Sequence, residues 1–264
     1  LSAVCAERGF ALYETGWRIH REREGIGQMQ TSVNMPEGFG LRAYESLGST
    51  NDEARRLAEE GISDGTVIWS LEQTRGRGRH GRDWVSPQGN LYSSIVLRDV
   101  GPMAEAAQLS LVAAVALGEA VAEHLPRPED LGFKWPNDIL LARRKLCGVL
   151  LESGTDRSGS NWVIVGTGIN VTNHPPEDAV MYPATDLAEA GAEVALETLL
   201  QDYVAALAAW RKRWQVQGLA PVRAAWLARA AGIGDSVSVR MSDGSRLEGR
   251  FLDVDEAGAL RLEL

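Results

Sequence analysis

The sequence predicts an α+β protein, with one mixed or antiparallel β-sheet packed by helices and a small β-barrel-like module after it. Three observations lead there. Strand candidates outnumber helix candidates, they recur as neighbouring hairpins rather than as repeated βαβ units, and residues 235–264 switch to short alternating strands with no helical period. Residues 1–34 begin without Met and carry no sustained helical or strand period, so they are expected to form a poorly ordered extension, with Met35 as the start of the folded part. No pair of amphipathic helices joined by a short turn is found there, which argues against a helix-turn-helix DNA-binding head. Residues 41–47 read as a short strand, and Ser49, Thr50 and Asn51 supply N-cap chemistry for a helix over 51–60, stopped by Gly61. Residues 66–71 and 91–97 read as buried strands on either side of a polar, glycine-rich stretch, 72–90. Pro102 opens a helix to residue 125 whose Leu109, Val112, Leu117 and Val121 fall near one face. Residues 133–141 and 145–152 form a predicted hairpin turned at 142–144, and 162–165 a strand ending in Gly166. A helix is expected over 185–214, and a last one from Pro221 toward Gly232. The domain reading is therefore 1–34 extension, 35–230 main domain and 231–264 β-module.

Composition narrows the function classes. The 264 residues carry 27 basic and 36 acidic side chains, a formal charge of −9, and an acidic surface repels phosphate backbones and anionic lipid. DNA and membrane surfaces are thus not expected partners. The most apolar stretch, 109–118, is about half the ~20 residues of a membrane span. Cys5 and Cys147 are too few for a disulfide framework, and no secretory signal is visible, so a reducing, cytoplasmic setting is expected. Only Lys134, Lys145 and Lys212 among the basic residues are lysines; the rest are arginines. That bias marks the retained lysines as places where a planar fork does not replace a point charge.

The sharpest local feature is the segment 73–82, Gln-Thr-Arg-Gly-Arg-Gly-Arg-His-Gly-Arg. Gly76, Gly78 and Gly81 satisfy G-x-G-x-x-G, but the residues that follow, Asp83 to Pro87, cannot open the helix a dinucleotide fingerprint requires. What remains is four arginines separated by glycines, suited to close approach to an anion and to bidentate phosphate binding. Such a loop is expected to be mobile when empty and ordered by a polyanionic ligand. A second cluster, Lys134-Trp-Pro-Asn-Asp138, pairs a compact cation with a hard carboxylate at a proline turn, the set for a phosphate and its magnesium. Lys145 opens a third, otherwise apolar cluster that runs to Gly148, and Gly166-Thr-Gly-Ile-Asn170 ends a strand with two glycines and an amide fit to bond a purine edge. No Ser, Cys or His nucleophile system and no metal-ligand spacing is present, and Cys147 reads as a core residue. Many cations, one carboxylate and no nucleophile fit phosphate-centred transfer, in which the substrate attacks and the protein positions and neutralises charge.

Ser49-Thr-Asn51, the 73–82 loop, Lys134 to Asp138, Lys145-Leu-Cys-Gly-Val-Leu-Leu-Glu152 and Gly166 to Asn170, in this order and spacing, resemble the biotin-protein ligases over about residues 40–264. The resemblance implies the catalytic domain shared by biotin and lipoate ligases followed by an SH3-like domain. It also implies an ATP-dependent, AMP-forming ligase of the monofunctional type, which makes biotinyl-5′-AMP and passes biotin to a lysine of the biotin carboxyl carrier protein of acetyl-CoA carboxylase. By the same resemblance, biotin would be bound by Ser49, Thr50, Asn51, Gln73, Arg77, Gly78, Arg79, Lys145 and Gly148. ATP would be bound by Arg79, Arg82, Trp84, Lys134, Asn137 and Asn170, and its Mg2+ by Asp138. Lys145 and Arg79 would be catalytic, Arg79 by retaining the adenylate. Two departures stand out: His80 replaces the usual Arg, and Thr167 the usual Ile or Ala; neither is expected to abolish activity. A homodimer is compatible with this reading. The alternatives are a lipoate or octanoate ligase of the same fold, and a non-catalytic nucleotide- or RNA-binding module using the arginine loop.

Overall fold

The computed structural model describes residues 18–20, 28–31, 33–98, 100–180, 182–241 and 244–264. Twelve strands and four α-helices are described: β1 Arg18–His20, β2 Gln28–Gln30, β3 Gly40–Leu47, α1 Thr50–Glu59, β4 Thr66–Gln73, β5 Leu91–Leu97, α2 Leu109–Ala122, β6 Leu131–Lys134, β7 Asp138–Leu141, β8 Arg144–Thr155, β9 Asn161–Ile169, α3 Leu196–Gln217, α4 Ala220–Leu227, β10 Ser236–Arg240, β11 Arg246–Val254 and β12 Leu260–Glu263. The first nine strands make one mixed sheet in the order β1-β2-β3-β4-β5-β9-β8-β7-β6. Only the β3–β4 pair is parallel, because α1 carries the chain across between them; the other pairings are antiparallel.

Strand β5 is buried along its whole length because both sheet faces are covered. On one face α1 packs Ala54, Leu57 and Ala58 against Ile68, Val96 and Ile164. On the other, α2 and α3 lie over Val67, Ile95 and Val165. Sandwiched between sheet and α3, α2 is apolar on nearly every side, as a fully buried helix must be. The 20 residues Met103–Ala122 are long and apolar enough by composition to cross a membrane, with a mean hydropathy of 1.4 over 18 of them, but 67% of that window is buried in this core. The last three strands form a separate antiparallel sheet, β10-β11-β12, consistent with the expected SH3-like module.

Several boundaries differ from the sequence reading. The helix expected over 185–214 starts only at Leu196, because backbone groups of 183–188 bond to residues 145, 170 and 171 instead of to one another. The helix expected from Pro102 begins as a 3₁₀ turn, Met103–Gln108. The expected 133–141 strand is two strands, β6 and β7, separated by a turn at the cis Trp135–Pro136 peptide. Of the 1–34 extension most lies outside the described residues. Its described part includes β1 and β2, which extend the sheet past β3 and are too short to show an alternating period.

Candidate active site

The pleat of the central strands decides which face can hold a ligand. Gly148 of β8 pairs with Gly168 of β9 and with Asp138 of β7, and Gly166 pairs with Ser94 of β5. These residues share the α1 face. A methyl on Gly166 would stand 2.0 Å from Asn51 Oδ1, and one on Gly168 would stand 2.5 Å from the Trp84 indole. The glycines therefore floor a trough on which Asn51 and Trp84 lie directly.

At one end of the trough is a polar network at the N-terminus of α1. Thr50 donates through its backbone N–H and its hydroxyl to Gln73 Oε1 at 2.8 and 3.1 Å, and Gln73 Nε2 donates to Ser86 Oγ at 3.0 Å. Ser94 Oγ lies 2.8 Å from Thr50 Oγ1 and 2.6 Å from Asn51 Oδ1. Asn51 Nδ2 donates to Glu152 Oε2 at 2.9 Å, and Glu152 also pairs with Arg55. Ser49, Thr50 and Asn51 are all buried. The residues expected at the biotin end are thus held together, joined by Ser86 and Ser94, which no motif singles out, and by Glu152, which ends the Lys145–Glu152 motif but has no expected role there. The β8 pleat is a usable signal for Glu152, which shares a face with Gly148; Ser94 and Ser86 carry no such signal.

The arginine loop closes over this end as a small hairpin. Gly78 N–H donates to the Arg82 carbonyl, Trp84 N–H donates to the Gly76 carbonyl, and Arg77 bridges Asp83. Acidic and amide partners offset the expected repulsion among its arginines: Arg77 meets Asp52 at 2.5 Å and Glu152 at 3.4 Å, and Arg79 donates to Asn137 Oδ1 at 3.1 Å. His80 is exposed in a left-handed backbone conformation (φ 58°).

At the other end stand the cations. Lys145 Nζ lies 2.7 Å from Asp138 Oδ1 and 5.2 Å above the Trp84 ring. Lys134 Nζ lies 3.6 Å over the Tyr182 ring. Burial pulls Lys134 below the usual lysine value, with Asp138 opposing and Lys145 and Arg82 adding to the shift. Burial likewise pulls Arg79 below the usual arginine value, with Asp138 opposing and Arg82 adding to it. Four cationic groups, Lys134, Lys145, Arg79 and Arg82, thus gather around one carboxylate, a place prepared for anionic oxygen. Asn137 braces the turn by donating to the Val149 carbonyl at 2.7 Å. Asn170 is buried, and its Nδ2 donates to the Thr185 carbonyl at 3.0 Å, so it leans on a segment the motifs missed.

Thr167 points to the opposite face. Its hydroxyl lies 2.7 Å from Ser93 Oγ beneath the sheet, so this departure lies away from the trough. Cys147 also faces the core, and burial pushes its thiol far above the ordinary cysteine range.

Comparisons with known proteins place the chain in a family. The family model described as Biotin/lipoate A/B protein ligase family matches residues 44–170, the span from β3 to the end of the glycine strand. A biotin–[acetyl-CoA-carboxylase] ligase of Paracoccus denitrificans is 41% identical over 218 residues, covering 81% of this chain and 90% of the relative. The chain belongs to the biotin/lipoate protein ligase family. A ligase of the same name from Mycobacterium tuberculosis is 33% identical, covering 86% of this chain and 85% of the relative. Among solved structures, the biotin protein ligase of Aquifex aeolicus in complex with biotin and ATP aligns with a TM-score of 0.72 at 27% identity, over 84% of this chain and 91% of that one.

Proposed function

We propose that this chain activates biotin with ATP to biotinyl-5′-AMP and transfers the biotinyl group to a lysine of the biotin carboxyl carrier protein of acetyl-CoA carboxylase. The observation that carries the reading is the two-ended trough: a neutral hydrogen-bonding end at Thr50, Asn51 and Gln73, a cationic end at Lys134, Lys145 and Arg79, and a glycine floor between them. A ligand with a polar ring at one end and an anion at the other matches that polarity. The family membership and the names of the relatives support the same reaction.

In this reading residues 35–230 are the catalytic domain and 231–264 an appended module. Ser49, Thr50, Asn51, Gln73, Gly78 and Gly148 surround biotin, with Arg77 closing over it. A biotin carboxylate oxygen attacks the α-phosphorus of ATP, the bond to the β-phosphate bridging oxygen breaks, and pyrophosphate leaves. Negative charge is greatest at the α-phosphate as this happens, where Lys145 and Arg79 neutralise it without reorganising. Lys134, Arg82 and Asn137 hold the remaining phosphates, and Trp84 and Asn170 the adenine. The carrier lysine amine then attacks the acyl carbon, and AMP departs.

Among the described residues no group of three or more His, Cys, Asp or Glu is placed to hold a metal. Asp138 is a single carboxylate with one oxygen committed to Lys145. That set fits a magnesium ion arriving on ATP, since Mg2+ takes one or two carboxylates and fills its other positions with phosphate oxygen and water. Bound there, it would add charge neutralisation at the phosphates.

The test is biotin-dependent exchange of pyrophosphate into ATP, run beside lipoate and octanoate. Exchange with biotin alone, lost in Lys145→Ala, supports the proposal. Exchange only with lipoate or octanoate moves the chain to the other branch of the family, and salt-sensitive RNA binding without exchange leaves a non-catalytic module. We place the reaction in the cytoplasm, and light scattering of the pure protein decides whether a homodimer forms.

A further inference from the structure

Three of the groups at the cationic end lean on one short segment that no sequence motif marks, residues 182–185. Lys134 Nζ sits 3.6 Å over the Tyr182 ring. Lys145 is bracketed by the same segment: its N–H donates to the Pro183 carbonyl at 2.7 Å, and its carbonyl accepts from Thr185 N–H at 3.0 Å. Asn170 Nδ2 donates to the Thr185 carbonyl at 3.0 Å. The register of β7 and β8 shifts next to Leu140, the partner of Lys145, and 183–185 then runs beside Lys145 as an extra strand-like wall.

Besides these backbone bonds, a buried carboxylate ties the wall down. Asp186, 5% exposed, accepts from His174 Nδ1 at 2.7 Å and from Glu189 N–H at 2.7 Å. Glu189 in turn accepts from Thr185 Oγ1 at 2.9 Å and from Arg144 at 2.6 Å, and lies 3.9 Å from His174 Nε2. The carboxylate oxygen can only accept, so Nδ1 carries the hydrogen. Asn170 and His174, both in the segment after β9, are the side chains that reach this wall, Asn170 at the Thr185 carbonyl and His174 at the Asp186 carboxylate. The His174–Asp186 pair adds a side-chain tie to the backbone bonds that 183–188 make to residues 145, 170 and 171, and a buried carboxylate deprived of one donor is costly enough to shift the backbone around it.

We propose that His174 and Asp186 form a clip that sets the 182–185 wall, and that through it Tyr182 and His174 are positioning residues for the nucleotide end of the site, with Tyr182 aligning Lys134. This rests on the proposed ligase function. The ring-binding end is held by hydrogen bonds among Thr50, Asn51, Gln73 and Ser94, none of which involves residues 182–186, so the clip acts on the phosphate end rather than on the biotin ring.

The experiment measures the exchange reaction and biotin binding by calorimetry for the wild type, His174→Ala, His174→Asn and Tyr182→Leu. His174→Ala and Tyr182→Leu should raise KM for ATP by about threefold or more, the size of losing a cation–π or charge-assisted contact, with biotin affinity held within about twofold. His174→Asn, whose amide also donates, should recover most of the loss. An unchanged KM for ATP in both variants, or a parallel loss of biotin affinity showing general destabilisation, would overturn the clip. Tyr182→Leu keeps the test open if His174→Ala does not fold, since the ring is only partly buried. A wild type without biotin-dependent exchange would instead sink the ligase reading.

Discussion

Gly166→Ala isolates how the sheet and α1 share the biotin end. Gly166 is hydrogen-bonded into the sheet from both sides, paired with Ser94 and with Leu150, so its backbone cannot retreat. The added methyl would stand 2.0 Å from Asn51 Oδ1, closer than real Cβ atoms come, and 3.0 Å from its Nδ2. Asn51 must therefore move and give up its bonds to Ser94 at 2.6 Å and to Glu152 at 2.9 Å. A neutral bond of this kind contributes about 1 kcal/mol and one to a carboxylate about 1.5–3 kcal/mol, so the substitution should destabilise by roughly 2.5–4 kcal/mol. For a chain of this size that is a fall in Tm of roughly 5–15 °C. Biotin affinity should fall at least about tenfold, the equivalent of 1.4 kcal/mol, since Asn51 belongs to the proposed biotin end. A double-mutant cycle read by thermal unfolding gives the decisive measurement. If the methyl acts by evicting Asn51, then Gly166→Ala should add no more than about 1 kcal/mol once Asn51→Ala is present. Full additivity of the two losses would refute the reasoning and put the strain in the strand instead.

Two further outcomes follow from the charged groups. Arg79→Gly removes the guanidinium that reaches Asn137 across the trough; it should release free biotinyl-adenylate and label bystander lysines, and unchanged retention of the adenylate would take Arg79 out of that role. Because burial lowers the Lys134 pKa, its charge is lost at a lower pH than an ordinary lysine's as pH rises. KM for ATP should therefore climb on the alkaline side below 10.5 in the wild type and stay flatter in Lys134→Arg; identical alkaline limbs would disconnect Lys134 from phosphate.

Much of the molecule is legible in the chain order. The apolar runs of β4 and β5, the alternation of the last three strands and the turn chemistry before α1 point to an α+β fold, and the retained lysines beside the arginine loop to an anion site, because patterning and charge are local properties that survive without a partner; the ligase reading comes from the resemblance of the ordered motifs. The segment 183–188 escaped because its composition suits a helix. Its backbone groups find better partners at Lys145 and Asn170, and those partners lie in distant sequence.

The same division separates the site residues. Lys134, Asp138, Lys145 and the arginine loop stand out alone, since each is a chemically unusual choice for its position. Glu152, Ser94, Tyr182, His174 and Asp186 are ordinary in sequence and become part of the site only when the sheet register brings β5, β8 and β9 together over α1. Register also decides that Thr167 faces Ser93 and the core while its neighbours Gly166 and Gly168 face the trough. The sequence by itself determined which charges the protein keeps and roughly where its strands and helices lie. Tertiary structure alone decided which of two sheet faces those charges meet on, because a strand's pleat sends successive residues to opposite sides and only pairing says which side is which.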